Sequence, residues 1–346
     1  RQSNKLMAMA TRTYPVGIQT FSDIIEKQYV YVDKTDLVYR LIRKYKYVFL
    51  SRPRRFGKSL LSSTLHAYFS GKKELFKNLA IESLEKDWNT YPVLHFDMSV
   101  LKNCPISHFA EKFNSILQPY EEQAGIFTPY TTPGTRLKEI IEKTARKTGK
   151  KVVIIIDEYD APLLDVLHEK EKLETVRNVM QEFFAPIKIC DEHCHFAFIT
   201  GITKFSQLSI FSTINNLANI SMEPEFAAIC GITKEELTTT LSQDIEEMAQ
   251  HNGVSKSEME QMLTDNYDGY HFSRNCPDLF NPFSLMHAFA SGEIENYWFA
   301  SGTSTYLIRQ LQKFRTDITT LDEIFTFSAS FDRPTEMMTD ALPLLY

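Results

Sequence analysis

Residues 49–63 read FLSRPRRFGKSLLSS, and their reading decides the fold. The stretch ends as a phosphate-binding turn ends, with Gly57, Lys58 and Ser59 in succession. The usual pattern, G-x-x-x-x-G-K-[ST], would put its first glycine at the position of Arg52, and Arg54 and Arg55 follow. On one side, YVFLS at 47–51 is a compact β-rich run. On the other, KSLLSSTLHAYFSG at 58–71 spaces Leu60, Leu61, Leu65 and Phe69 like a helix face, with Gly71 as a stop. A Gly-Lys-Ser between strand and helix is where backbone N–H groups converge on an anion at a helix N-terminus. Gly57 lets the backbone approach closely. Lys58 can reach the β- and γ-phosphates, and Ser59 can ligate Mg²⁺. Pro53 fixes one φ in the turn. The plain alternative is a strand–helix turn with a solvated Gly-Lys-Ser.

Farther along, PVLHFDMS (92–99), KVVIIIDEYD (151–160) and HFAFITG (195–201) are strand-like, and NISMEP (219–224) is a weaker fifth run. Helical stretches such as TRLKEIIEKTARKTG (135–149) and KLETVRNVMQEFFAPIKIC (172–190) lie between them. Strands alternating with helices imply a parallel sheet covered on both faces, and VVIII lacks alternation, as a central strand should. That strand ends in Asp157 and Glu158. An acid there can hold Mg²⁺ through water, and a second can polarise an attacking water. Asp157 fits the first role and Glu158 the second; the alternative is a solvated pair. Thr200, at the end of the next strand run, is the candidate polar sensor, ahead of Thr203 and Lys204, with a plain turn threonine as the alternative. Any of the three arginines can fork onto phosphate oxygens or a carboxylate, and one could stabilise γ-phosphate charge; the alternative, expected for at least one of them, is a surface charge or a pair with an acid such as Asp160. Tyr29, Tyr31 and Val32, before the first helix, are candidate adenine contacts or simple packing.

Past residue 230 helical patterns dominate, opening on a capping box from Thr233 to Glu236. The expected division is residues 1–12 as disordered or vector-derived, with Met7 and Met9 as candidate starts, then 13–229 and 230–346. The final ALPLLY reads as a cut inside an element. The net charge of −6 argues against a chain that binds nucleic acid over its whole surface. Five scattered cysteines do not make a disulfide framework, so a reducing cytoplasm is expected. No apolar run approaches the roughly 18 residues of a membrane span. CDEHCH (190–195) bunches four soft ligands but has no distant second pair, so a turn with buried thiols is expected rather than zinc. NYDGYHF (266–272) is expected to fill a core rather than stack on bases.

These motifs together resemble the bacterial AAA-ATPase-like family. The resemblance rests, in order, on YPVGIQTFSDIIEKQYVYVDKT, FLSRPRRFGKSLL, KKELFKNLAI, YPVLHFDMS, VVIIIDEYDAPLL, FITGITKFSQLSIFSTINNLANISM, CGITKEEL, YDGYHF, NPFSL and YWFASGTSTYLI. It covers residues 14 to 310. The arginine-rich loop is that family's own version of Walker A. The resemblance implies an α/β P-loop NTPase core of the ASCE/AAA type with sheet order 5-1-4-3-2, and a helical lid with or without a winged-helix element. It implies ATP and Mg²⁺ as ligands, with Arg54, Arg55, Phe56, Gly57, Lys58, Ser59, Leu60 and Tyr31 around the nucleotide. Ser59 and Asp157 would be on the metal, and Glu158, Lys58 and Thr200 would act in catalysis. Family members commonly continue into a PD-(D/E)XK nuclease-like domain. That domain is expected beyond Tyr346 and would be the route to a nucleic-acid partner.

Overall fold

The computed structural model describes residues 12–297 apart from 128, 168, 203–213, 215 and 274. Its centre is a parallel sheet of β1 (Tyr47–Ser51), β2 (Val93–Asp97), β3 (Val152–Asp157), β4 (Cys194–Gly201) and β5 (Ala218–Asn219). The strand order is β2-β3-β4-β1-β5, or 5-1-4-3-2 from the opposite edge. The apolar runs need no hydrophobic alternation because both faces are covered. Pleating still divides them. Phe49, Phe96, Ile154, Ile156, Ala197 and Ile199 join one core. Val48, Leu50, Val153, Ile155, Phe196 and Phe198 join the other. The helices Phe109–Ala124, Pro133–Thr148 and Lys170–Phe184 bury their stripes against the first face. Thr35–Lys44 and Lys58–Phe69 cover the second. The fifth strand is shorter than NISMEP promised. Only Asn219 of that run lies in the strand; the Ile220 amide still donates to the Phe49 carbonyl at 3.0 Å before the chain turns and enters a 3-10 helix at Pro224.

The region after residue 230 holds a third core. It is built from the helices Lys234–Thr239, Ser242–Asn252, Lys256–Tyr267 and Pro282–Ser291. A short antiparallel pair, β6 (Ile232–Thr233) and β7 (Leu279–Phe280), joins it. The Thr233–Glu236 capping box is formed, and Ser255 and Glu258 form a second. The N-terminal segment crosses the division expected at 229/230. Val30 inserts into the third core, and Arg12 and Tyr14 both bond Asp244. Lys34 pairs with the capping Glu236. Residues 298–346, over which the expected lid continues, lie outside the described residues.

Candidate functional site

The loop between β1 and the helix Lys58–Phe69 owes its shape to side chains that reach distant backbone. Arg52 replaces the missing glycine and is 1 % exposed. Its Nη1 donates to the carbonyls of Ser51 at 2.9 Å and Ser221 at 2.7 Å, and its Nη2 to that of Ala227 at 3.2 Å. The guanidinium lies 4.0 Å from the centre of the Phe272 ring. Burial pulls its pKa down to about 10, so it remains charged at neutral pH. Of the roles open to the loop arginines, Arg52 takes neither the surface charge nor the carboxylate pair but is a buried strut. Ser221 adds a second tie, its Oγ accepting from the Ser51 amide at 2.9 Å. Backbone carbonyls that end a short strand need donors, and Arg52 supplies them.

Arg54 and Arg55 are exposed. Arg55 has φ +61° and its guanidinium lies 4.0 Å over the Phe283 ring. Phe56 is fully buried, edge-on to Tyr270 at 4.8 Å and to Phe272 at 5.3 Å. A Cβ at Gly231 would sit 2.6 Å from the Phe56 ring, so only glycine fits there. NYDGYHF thus fills a core, as expected, and that core is the floor of the loop. Gly57 takes φ +96° as the N-cap of the helix, and a Cβ there would meet open space. Conformation, not crowding, calls for glycine at this position. Lys58 is 6 % exposed, and its Nζ donates to the carbonyls of Arg52 at 3.1 Å and Pro53 at 2.9 Å. Burial lowers its pKa, and the charges of Asp160, Asp157 and Glu158 oppose that shift.

Asp157, the last residue of β3, is 6 % exposed, and burial pushes its carboxyl up to about 6. Ser59 and Ser62 stand beside it. Its Oδ1 is buried without a hydrogen-bond partner. A buried carboxylate oxygen of that kind, next to a serine hydroxyl, suits a hard cation that takes oxygen ligands and keeps several waters. Among the described residues no three His, Cys, Asp or Glu side chains gather closely enough to cage a metal unaided. Glu158 has φ +49°, a left-handed conformation that costs a non-glycine residue roughly 1–2 kcal/mol. Backbone strain of this sort collects at functional sites. The turn it starts is pinned to β4, where the Tyr159 amide donates to the Thr200 carbonyl at 3.1 Å. A Cβ at Gly201 would come within 2.5 Å of Asp160 and Tyr159. Thr200 is fully buried, and its hydroxyl donates to the Leu50 carbonyl at 2.7 Å. That single proton is committed to β1. Thr203 and Lys204 lie outside the described residues.

Beside Gly57 opens a largely apolar cavity of about 110 Å³. Tyr31, Val32, Leu60, Ile232 and Met286 are among its walls. The fold therefore brings Tyr31 and Leu60 into one cavity beside the loop. Tyr29 instead bridges to Thr13. At 190–195 the Cys190 and Cys194 thiols are buried, and His195 stacks on Tyr91 at 3.9 Å. Sequence reading passed over two parts of the site: the link from Arg52 to Phe272, and Asp97, which sits in register with Asp157 on the neighbouring strand. The signal for Asp97 was a strand run, PVLHF, ending in an acid. Among the described residues, no helix is long and apolar enough to cross a membrane.

Comparison with known proteins gives two findings. The family described as Predicted AAA-ATPase matches residues 15–211. A protein of Azotobacter chroococcum mcd 1, titled "Uncharacterized protein in vnfD 5'region", is 33 % identical over 325 residues. The match covers 93 % of this chain and 60 % of that relative, so the chain spans less than two thirds of that relative's length.

Proposed function

The chain belongs to the AAA-ATPase-like family, and from that premise we propose that it binds ATP with Mg²⁺ and hydrolyses it to drive a conformational change. The observation that carries the reading is the pairing of two features at one end of the sheet. Gly57, Lys58 and Ser59 open a helix there, and Asp157 beside them buries an unpartnered carboxylate oxygen. Backbone N–H groups around Gly57 and the Lys58 ammonium would hold the phosphates. Lys58 would exchange its bonds to the Arg52 and Pro53 carbonyls for phosphate oxygens. Ser59 and Asp157 would hold Mg²⁺, which supplies positive charge at the phosphoryl oxygens. Glu158 would take the proton of the attacking water. The apolar cavity beside Gly57 would receive the adenine, with Tyr31 and Leu60 in its wall.

Hydrolysis would move the fold through the contacts of the loop with the helical unit. Arg52, Arg55 and Phe56 contact Phe272, Phe283 and Tyr270, so a change at the phosphates is felt there. A second reading, a nucleotide-gated switch with negligible turnover, draws support from the Thr200 hydroxyl bonded to β1 rather than held free as a sensor. A bacterial cytoplasmic setting, and service to a nuclease-like domain elsewhere in a longer protein, complete the proposal. Glu158→Gln separates the two readings. For an ATPase it keeps ATP binding and slows phosphate release by at least ~10²-fold. Equal and negligible release from parent and variant supports the switch. Release at an undiminished parent rate places the base elsewhere.

A further inference from the structure

We propose that Asp97 is a further residue of the metal site, holding a water of the bound ion beside Asp157. The inference rests on the reading above, in which Asp157 faces Mg²⁺. Asp97 ends β2 as Asp157 ends β3, and the two are register partners in a parallel pair. Register partners project to the same face on strands about 4.8 Å apart. Like charges set opposite each other disfavour a sheet. This pair nevertheless stands at the carboxyl edge, where open α/β sheets bind their ligands. Asp157 is 6 % exposed with an unpartnered Oδ1, so the acid pair includes a buried oxygen that itself calls for a ligand.

Asp97 also has a local duty. Its Oδ1 accepts from the Ser99 amide at 2.9 Å and caps the turn Met98–Leu101. Its other oxygen accepts no hydrogen bond from a described residue. Asp97 is exposed, so an ion's hydration shell can reach it. A role through water fits the finding that no three acidic or soft ligands cluster directly among the described residues. Outer-shell partners of this kind orient first ligands and tune affinity.

Capping and charge can be separated, since asparagine and serine cap as well as aspartate but carry no charge. The test is an electron paramagnetic resonance titration of Mn²⁺, standing in for Mg²⁺, on the whole chain with saturating ADP. Parent, Asp97→Asn, Asp97→Ser and Asp157→Asn are compared, with melting temperatures as the folding control. The inference predicts that both Asp97 variants bind Mn²⁺ about tenfold more weakly, the lower range for outer-shell partners. Their melting temperatures should not fall below the parent's, since the cap is kept and a like-charge pair is removed, and metal-free ADP affinity should stay at the parent level. Parent-like Mn²⁺ affinity in either Asp97 variant, with Asp157→Asn weakened, overturns the role of Asp97 and leaves the metal reading standing. Parent-like affinity in Asp157→Asn overturns that reading and the inference with it.

Discussion

Asp157 carries a cost that shows in pH dependence. Burial holds its carboxyl at about 6 instead of 3.8. Between those values the unfolded chain has lost the proton and the folded chain keeps it. The folded state binds more protons there, so stability falls as pH rises from about 4 to about 6 and stays reduced above. The size is on the order of 2–3 kcal/mol. Asp157→Asn should therefore raise the melting temperature of the protein without nucleotide at pH 7.5, with the gain vanishing near pH 4. Scanning calorimetry at the two pH values checks this; an equal shift at both would remove the burial argument. The loop arginines divide at the same scale. Arg54 is the exposed one with no ring beneath it among the described residues, and Arg54→Ala should cost ATP affinity of ~1.5–3 kcal/mol, a charge-assisted hydrogen bond, with little change in melting temperature. Arg52→Ala leaves buried carbonyls without donors and should act mainly on melting temperature. Calorimetric titration and melting curves on both variants decide it, and a reversed pattern would exchange their roles.

At the level of elements, the strand–turn–helix around Gly57 was legible because each part has a local cause. YVFLS is β-rich, the helix repeats its leucines at helical spacing, and Gly57 is the residue that takes φ +96° freely. The place of Asp157 was legible for a similar reason, at the end of an apolar run too uniform for a half-exposed strand. Arg52 was not legible as a strut. Two of its three carbonyl partners lie 169 and 175 positions later, on chain that folds back under the loop. Phe56, which the resemblance implies beside the nucleotide, lines the cavity next to Gly57, but its packing on Tyr270 and Phe272 was not legible because those rings come from distant sequence. Asp97 escaped notice because register between strands is set by tertiary packing. The bunched CDEHCH resolves into separate surroundings because Cys194 and His195 already belong to β4, where alternate side chains leave on opposite faces.

Across the whole molecule, contacts tie the loop at Gly57 and the N-terminal segment to the helical unit. Arg52, Arg55 and Phe56 reach Phe272, Phe283 and Tyr270, and the N-terminal segment engages Asp244 and Glu236. Binding at the loop should therefore be felt in residues far along the chain. Hydrogen exchange with and without Mg·ATP should show slowed amides in the loop and also in 267–285; protection confined to the loop would show that the contacts transmit nothing. All of this depends on the loop being a nucleotide site, and the direct test is a calorimetric titration of ATP, with Mg²⁺ present, into the parent protein and into Lys58→Ala. Lys58 is the lysine of the phosphate turn, and its ammonium is held within the loop at the carbonyls of Arg52 and Pro53. The parent should bind one ATP per chain, and Lys58→Ala, still folded, should give no measurable heat at the same concentrations. Equal binding by the two proteins, or no binding by the parent, would contradict the account.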